Sequence, residues 1–400
     1  MSTIAQAPPP PAGRSLLNDP KIRGIAYQVI LVVAVVGLIY IAASNAVENL
    51  RAAKIASGFG FLQSTSGFDV SQTLVPYSAT STYGRAFIVG LLNTLLVAAI
   101  GIVLATVLGF VIGVARLSPN WLVARVATVY VELIRNLPLL LQLLFWYIAV
   151  LRSLPEPRNS LGLGIGFFVN NRGLYIPRPN PGDTAWMVLA AFVVGIVAAA
   201  IYARYAHKKQ FETGEQSPVL RATVGFVIGL PIIVWSLLAL TAGNPIAFDV
   251  PVKGTFNLRG GMQVFPELVA LTLGLVIYTA AFIAEIVRAG ILAVSRGQTE
   301  AAYALGLRPG QTLNLVVIPQ AMRVIIPPLT SQYLNLTKNS SLAVVIGYPD
   351  LVQVFMGTVL NQTGQAIECV AITMAVYLTI SILTSTLMNI YNARKALVER

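Results

Sequence analysis

Long apolar runs without a charged residue recur along this chain and limit what it can fold into. A helix that crosses the hydrocarbon core of a bilayer needs about 20 mostly apolar residues. Five windows contain no Asp, Glu, Lys or Arg and reach that length, namely residues 24–47, 86–115, 184–203, 222–248 and 369–393. Each of these windows is predicted to be a transmembrane helix.

Composition supports the same class. Only 10% of the 400 residues are charged and 56% are hydrophobic, whereas a soluble domain carries about 25% charged residues. A soluble enzyme is therefore excluded. One Cys and one His exclude an internal disulfide and a Cys/His zinc cluster. The net charge of +12 is spread through apolar sequence, which favours a lipid bilayer over nucleic acid as its environment.

Three further apolar stretches contain charges. Residues 126–151 hold Glu132 and Arg135, and residues 268–294 hold Glu285 and Arg288. Residues 313–360 are interrupted by prolines and charges, which are Arg323, Pro327, Pro328, Lys338 and Asp350. The first two stretches are predicted to be spans, and the third needs an argument from topology.

Basic residues concentrate in cytoplasmic connections. If the N-terminus is cytoplasmic, 15 Lys and Arg fall in inner segments and 9 in outer segments. Both termini are then inside, so the number of crossings is even. Residues 313–360 must make one net crossing, and we expect a helix broken at Pro327–Pro328 followed by a re-entrant segment. The total is about eight transmembrane helices in an all-α integral membrane protein.

A short polar stretch, residues 295–306, carries the most specific motif. Gln298 and Thr299 lead into alanine-rich sequence, and Gly306 stands where a helix C-cap belongs. An isolated helix this short is marginally stable, so we expect it to need a docking surface. The alternative interpretation is that residues 295–306 form an ordinary helical turn between two spans.

The spacing of this motif resembles a known family. Glu300-Ala301-Ala302, then Gly306, then Pro319 resemble the EAA loop of bacterial ABC-importer permeases, which docks into an ATP-binding subunit. Residues 278–291 and 130–143 are similar to the polar amino-acid branch of these permeases, the histidine/glutamate type. With the outer loop 170–179, the chain most resembles the larger permease subunit of the general L-amino-acid importers.

The resemblance implies the architecture and the partners. The fold is an ABC type I importer permease core with an extra N-terminal span and a two-span insertion. Its implied function is ATP-driven import of L-amino acids, polar or broad in range, across the bacterial inner membrane. The implied partners are a second permease subunit, an ATP-binding subunit dimer and a periplasmic amino-acid-binding protein.

The apolar windows, together with the resemblance, which runs from about Gly84 to the C-terminus, divide the chain into six segments. They are a Pro-rich cytoplasmic tail (1–23), a first transmembrane anchor (24–47), a periplasmic loop (48–85), the first part of the permease core (86–151), the insertion with two extra spans and periplasmic loops (152–264), and the second part of the core with the EAA loop (265–400). The first span is long for a signal peptide, although residues 44–46 loosely resemble a cleavage site.

The chain has no phosphate-binding G-x-x-x-x-G-K-[ST] loop. ATP hydrolysis must therefore come from a partner, which would hold the ATP and Mg²⁺. This chain is expected to bind no cofactor and no metal and to have no catalytic residue. The residues expected to couple it to the ATPase are Glu300, Ala301, Ala302, Leu305, Gly306 and Pro319.

Two acid–base pairs recur at the same spacing. Glu132 with Arg135, and Glu285 with Arg288, lie three residues apart, which places each pair on one helix face. Charges within a span are costly in lipid. Each pair is either self-neutralising near the interface or part of an inner gate or subunit seam.

Substrate contacts are predicted after the two prolines. The polar candidates are Asn335, Lys338, Asn339, Ser340 and Ser341. Lys338 either attracts an amino-acid carboxylate or marks a periplasmic turn. An ion-gradient secondary transporter is the alternative function, with Glu132 and Glu285 as its coupling acids. Gly109 and Gly113 form a G-x-x-x-G match that serves packing within the chain or a dimer contact.

Overall fold

The computed structural model describes residues 20–52, 58–213, 217–255 and 257–395. The Pro-rich segment 8–11 lies outside them. In the described part, seven helices are long and apolar enough to span a membrane, and a bent helix pair brings the number to eight. The predicted number of about eight helices is confirmed. The first helix, α1 (Pro20–Ala52), includes a candidate span with no buried residue.

Two long helices form the centre of the molecule. They are α2 (Tyr83–Ala115) and α8 (Pro266–Leu292). A Cβ atom added to Gly109 would lie 2.6 Å from the Cβ of Ile283, and one added to Gly113 would lie 2.7 Å from the Cβ of Val287. The G-x-x-x-G match therefore brings two helices of the same chain together, because only glycine allows this approach.

The close approach predicts a stability effect. In Gly113→Val, the added side chain would clash with the backbone oxygen of Ala284 and with the Cβ of Val287. Neither atom can move away without a shift of α8, which costs free energy. We expect the midpoint of thermal aggregation in detergent to fall by roughly 5 °C or more. Gly37→Val is the matched control, since nothing lies within 4 Å of its Cβ position. Equal midpoints for the two variants would contradict this packing.

The next span is sharply bent. α3 (Trp121–Asn136) is followed by α4 (Leu139–Leu144), which continues as a π-helix (Phe145–Leu151). The two parts meet at 107°. The bend falls where Pro138 disfavours a helical conformation in Leu137, whose backbone is extended. The α3 part is amphipathic and contacts α8, where the Tyr130 hydroxyl donates to Ile277 O at 2.7 Å.

The insertion forms a helical hairpin. Its helices are α5 (Ala185–Thr213) and the continuous run of α6 (Val219–Val224), a π-helix (Gly225–Gly229) and α7 (Leu230–Thr241). A Cβ on Gly195 would lie 2.2 Å from the backbone oxygen of Phe226, so glycine permits close packing of the two arms. The span predicted for residues 222–248 is too long at its end, because α7 stops at Thr241.

Short strands occupy the loops at the end of the bundle where α8 begins. Antiparallel pairing gives the order β1 (Leu161–Gly164), β2 (Phe167–Asn170), β3 (Gly173–Ile176) and β8 (Met262–Val264). Two separate ribbons accompany this sheet. They pair β4 (Arg178–Pro181) with β5 (Ile246–Asp249), and β6 (Val252–Lys253) with β7 (Leu258–Arg259). We call this side the strand end. These strands were not predicted from the sequence.

The opposite side, where α8 ends, is the α9 end. There α9 (Arg296–Ala304) and α10 (Pro309–Thr312) lead through a π-helix (Leu313–Val317) into α11 (Ile318–Asn339). The break expected at Pro327–Pro328 is wrong, since both prolines lie inside α11. A 3₁₀-helix (Ser340–Ile346) extends α11, and a non-helical segment follows at residues 347–350.

The chain then continues toward the strand end. A π-helix (Gln353–Val359) and α12 (Leu360–Thr363) precede the last helix, α13 (Ala366–Lys395).

Contacts with α2 establish this path. Tyr333 bonds to Thr106 at 3.0 Å, and Leu351 N donates to Thr94 Oγ1 at 3.0 Å. Farther on, Tyr83 donates to Gln362 at 3.0 Å. The partners on α2 thus move steadily toward its first residue as the chain advances. Residues 318–363 therefore make one crossing, and the expected re-entrant segment is wrong because its second part keeps the same direction.

Candidate functional site

The alanine-rich motif forms the helix that its sequence predicts. α9 ends at Ala304, and Gly306 adopts the left-handed conformation with φ 79°. Gly306 N donates to Tyr303 O at 2.9 Å, and Leu307 N donates to Ala302 O at 3.1 Å. This pair of bonds is the Schellman pattern, in which glycine satisfies the last carbonyls of a helix. The cap expected at Gly306 is confirmed.

The outer face of α9 is uncovered. Leu305 is 81% exposed and Tyr303 is 49% exposed, although both are large apolar side chains. Glu300, Ala301 and Ala304 are exposed as well. Ala302 differs, since it is buried within its own chain at 3% exposure. Of the predicted coupling residues, Ala302 therefore holds α9 in place and the others face outward.

A groove runs beside α9. It has a volume of about 520 Å³ and its lining includes Gln298, Pro319 and Arg323. Pro319 is exposed at the start of α11. Gln320 Nε2 donates to Gln298 Oε1 at 3.1 Å, which joins α9 to α11. The motif and the proline that follows it in sequence are thus neighbours on one surface.

Glu285 is the centre of an ionic cluster. Arg288 Nη2 donates to Glu285 Oε1 at 2.6 Å, and Arg116 pairs with Glu285 Oε2. Arg135 Nη1 lies 3.7 Å from the same oxygen. The predicted pair within α8 is confirmed, and the cluster joins the last turns of α2, α3 and α8.

The pair predicted within α3 does not form. Arg135 turns toward α8, where its guanidinium carbon lies 5.2 Å from the centre of the Phe282 ring. Glu132 is exposed, and no described Lys or Arg has its side-chain nitrogen within 4.0 Å of it. Arg135 thus gains both a carboxylate and a ring face on α8, whereas an exposed pair on one helix contributes little. The two acids therefore differ in surroundings despite their matching spacing.

The polar residues after Pro328 divide into two groups. Asn335 and Lys338 are exposed on one face of α11. Ser340 is buried, and its hydroxyl donates to Thr337 O at 2.7 Å. Ser341 likewise donates to Lys338 O at 2.7 Å, and Asn339 is half-buried. Ser340 is therefore a poor substrate candidate, while Asn335 and Lys338 remain available.

Sequence reasoning missed a buried polar junction at residues 347–350. Asp350 is fully buried; its carboxylate accepts a bond from Gln353 N at 2.8 Å and lies 3.3 Å from the hydroxyl of Tyr377. Asn93, also fully buried, donates to Pro349 O and Gln72 O at 2.9 Å each. An acid such as Asp350 within an apolar run, directly after Tyr348-Pro349, is a sequence feature that could have indicated a buried polar site. No comparable feature marked Asn93.

Comparison with known proteins identifies relatives along nearly the whole chain. Residues 215–397 match the family of binding-protein-dependent transport system inner membrane components. The chain is 54% identical over 387 residues to the general L-amino acid transport system permease protein AapQ of Rhizobium johnstonii, which covers 97% of this chain and 96% of the relative.

Two further relatives have similar descriptions. The amino-acid ABC transporter permease protein YhdX of Escherichia coli is 54% identical, over 96% of each chain. The glutamate/glutamine/aspartate/asparagine transport system permease protein BztB of Rhodobacter capsulatus is 44% identical, over 98% of this chain and 99% of its own. The similarity therefore includes the insertion as well as the region of the α9 motif.

Proposed function

The chain belongs to the permease subunits of binding-protein-dependent amino-acid ABC importers, which are multi-pass proteins of the inner membrane. We propose that it couples ATP hydrolysis by a partner to the import of L-amino acids through the helix α9. The observation that carries the proposal is α9, a capped helix with an uncovered face between two core helices. The amino-acid permeases to which it is similar supply the substrate class. The full transporter comprises this chain, a second permease subunit, an ATPase dimer and a periplasmic binding protein.

The α9 end faces the cytoplasm in this proposal. The excess of Lys and Arg in the segments at that end supports the orientation, since basic loops stay inside. Both termini then lie in the cytoplasm, and the strand end lies in the periplasm. The chain holds no nucleotide-binding loop, so the ATPase subunits hold ATP and Mg²⁺, and this chain contributes no catalytic residue.

Docking of α9 into the ATPase converts its motion into motion of the spans. Leu305 and Tyr303 enter an apolar cleft, Glu300 pairs with a base, and Ala301 and Ala304 permit close approach. Such apolar anchors carry most of the free energy of a protein interface. Closure of the ATPase dimer on ATP displaces α9, and hydrolysis returns it.

The displacement reaches the membrane through two rigid connections. α9 follows α8 after three residues and is joined to α11 by the Gln298–Gln320 bond. Deeper in the bundle, a Cβ on Gly290 would lie 2.3 Å from Ile325 Cγ1, so α8 and α11 pack without a gap. Tightly packed helices move together, and the pair therefore tilts as a unit and opens the pathway outward.

The ionic cluster around Glu285 is the inner gate or subunit seam in this proposal. It joins α2, α3 and α8 near the cytoplasmic end, and its described members carry three positive charges and one negative charge. A partially exposed cluster with excess charge faces water or protein rather than lipid. Glu132 belongs to the exposed face of α3 and contributes less.

The pathway follows the exposed polar face of α11. Asn335 and Lys338 lie on that face, and lipid would not solvate them. A second permease subunit opposite this face encloses a polar channel. Lys338 attracts the carboxylate of the amino acid, and the amides of Asn335 and Asn339 bind its polar groups.

Replacement of Lys338 tests the substrate contact. Lys338→Met removes the ammonium group from an exposed position, so the fold should persist. We expect the KM for amino-acid uptake to rise roughly ten-fold, the effect of one lost charge-assisted bond. Basal ATPase activity should stay unchanged, and Lys338→Arg should restore most of the affinity. Normal uptake by Lys338→Met in an intact complex would remove Lys338 from the site.

Reconstitution tests the function as a whole. Proteoliposomes that contain all the subunits and enclosed ATP should accumulate labelled L-amino acids when the loaded binding protein is added outside, with or without an uncoupler. Uptake that needs an ion gradient and no ATP would instead support the secondary transporter. Its coupling acids are poorly suited, because Glu285 is held by arginines and Glu132 is exposed.

A further inference from the structure

An exposed apolar tip stands out on the strand end. Ile165 joins β1 to β2 and is 92% exposed. Its backbone has φ 50°, and the flanking Gly164 and Gly166 are also left-handed. A β-branched residue in this conformation is strained. Such strain, at an exposed position, is a pointer to function.

The surface around the tip is apolar with a basic margin. A Cβ on Gly166 would lie 2.3 Å from Val250 Cγ1, which places the segment between β5 and β6 beside the tip. Leu163 is 66% exposed and Val252 is 58% exposed. We call Leu163, Ile165, Val250 and Val252 the tip patch. Leu163 and Ile165 come before α5 in the chain, and Val250 and Val252 come after α7, so the patch contains residues from both sides of the insertion.

Basic residues outnumber acids next to the tip patch. Lys253 Nζ lies 5.8 Å from the centre of the Phe168 ring, and Arg259 is paired in register with Val252. Arg178 stands opposite Asp249 in the β4–β5 ribbon. The described surface therefore has three bases and one acid, and that acid already accepts a bond from Gly261 N at 3.0 Å. Its charge suits an acidic partner.

The tip lies at the end of the sheet that is remote from the start of α8. The other end of the β2–β3 hairpin lies against the start of α8, since a Cβ on Gly173 would lie 3.1 Å from Pro266 N. Asn170 pairs with Gly173 there. Ile165 precedes Asn170 by five residues, a distance of about 17 Å in extended conformation. A soluble partner therefore reaches the tip patch more readily than a lipid surface.

We propose that the tip patch is the docking surface for the periplasmic binding protein, which presents an acidic rim around an apolar pocket for Ile165. This inference rests on the proposed function, because it specifies which surface of the permease receives that partner. The exposed apolar residues anchor the complex, and the basic margin steers it. The insertion thereby has a role in selecting the partner.

The test measures how a periplasmic amino-acid-binding protein, loaded with an L-amino acid, stimulates the ATPase activity of the complete importer in nanodiscs. Ile165→Asp should raise the binding-protein concentration for half-maximal stimulation roughly ten-fold or more. Basal ATPase activity and the maximum at saturation should stay unchanged. Lys253→Glu with Arg259→Glu should act in the same direction and lose its effect at high salt. The controls are Ile165→Val, which keeps the apolar side chain, and Arg221→Glu, which lies at the α9 end. Neither should change the stimulation.

The outcomes are distinguishable. Wild-type stimulation that the tip variants leave unaltered overturns the docking surface and spares the transporter. Absence of stimulation in the wild type contradicts the proposed function itself. A fluorophore on Ile165→Cys should respond to the binding protein, since the native Cys369 is buried. Quenching by lipid-borne spin labels without the binding protein would place the tip in the bilayer and reject the proposal.

Discussion

Leu305→Asp should reduce amino-acid uptake at least 100-fold while leaving the permease inserted and folded. The side chain is 81% exposed, so its replacement disturbs no packing within the chain. In the docked complex, however, the new carboxylate would be buried in an apolar cleft without a partner, which costs several kcal/mol. Uptake of labelled amino acid and co-purification of the ATPase subunit measure the effect.

The chain provides a matched control for that variant. Leu220 is 77% exposed and is the second residue of α6, at the same end of the bundle. Leu220→Asp should leave uptake and ATPase association within two-fold of the wild type, an effect typical of substitutions outside an interface. Equal loss in the two variants would mean that the α9 end tolerates no new charge, and would remove the evidence for a specific contact at Leu305.

Glu285→Gln is expected to have the second large effect. The substitution leaves three arginines without their shared carboxylate, and Arg116 has only 9% of its side chain exposed. Leaving a buried charge unpaired costs roughly 3 kcal/mol or more. We expect a lower midpoint of thermal unfolding and a loss of ATP-coupled uptake. Glu132→Gln should be nearly silent in both measurements because Glu132 is exposed.

A double substitution separates charge from general damage. Arg116→Met combined with Glu285→Gln removes the buried cation along with its partner, and should recover part of the stability lost in Glu285→Gln alone. Additive losses in the double variant, or equal effects of Glu132→Gln and Glu285→Gln, would contradict the central position of Glu285. Uptake in the stable double variant then reports on the gate itself.

The sequence predicts the spans well because their physical cause is local. A charge-free apolar run has few alternatives to a helix in lipid, and the Gly306 cap follows from the left-handed conformation that glycine allows. The path of residues 313–363 was only partly predictable. One net crossing followed from topology, but the continuous course of α11 did not, because prolines usually end or kink a helix whereas Pro327 and Pro328 lie inside α11.

Contacts between elements that are distant in the chain could not be predicted from the sequence. Equal spacing suggested equal pairs, yet Arg135 pairs with Glu285 on α8 and leaves Glu132 exposed. Ser340 is a predicted substrate contact, and the structure buries it completely within the chain. The buried junction of Asn93 and Asp350 depends on a turn packed against α2. Each of these outcomes is decided by tertiary contacts, which no single-chain pattern records.

The most direct test of whether α9 couples the ATPase to transport is a crosslink from α9 to the ATPase subunit. Ala301→Cys and Ala304→Cys, placed singly in a Cys369→Ala background, put a thiol on the exposed face of the helix. In membranes that contain the working importer, a short bifunctional reagent should join each of them to the ATPase subunit, with a yield that changes when ATP is added. Leu220→Cys should give no such product. If neither alanine position ever captures the ATPase while uptake proceeds, α9 is not the element that couples ATP to transport.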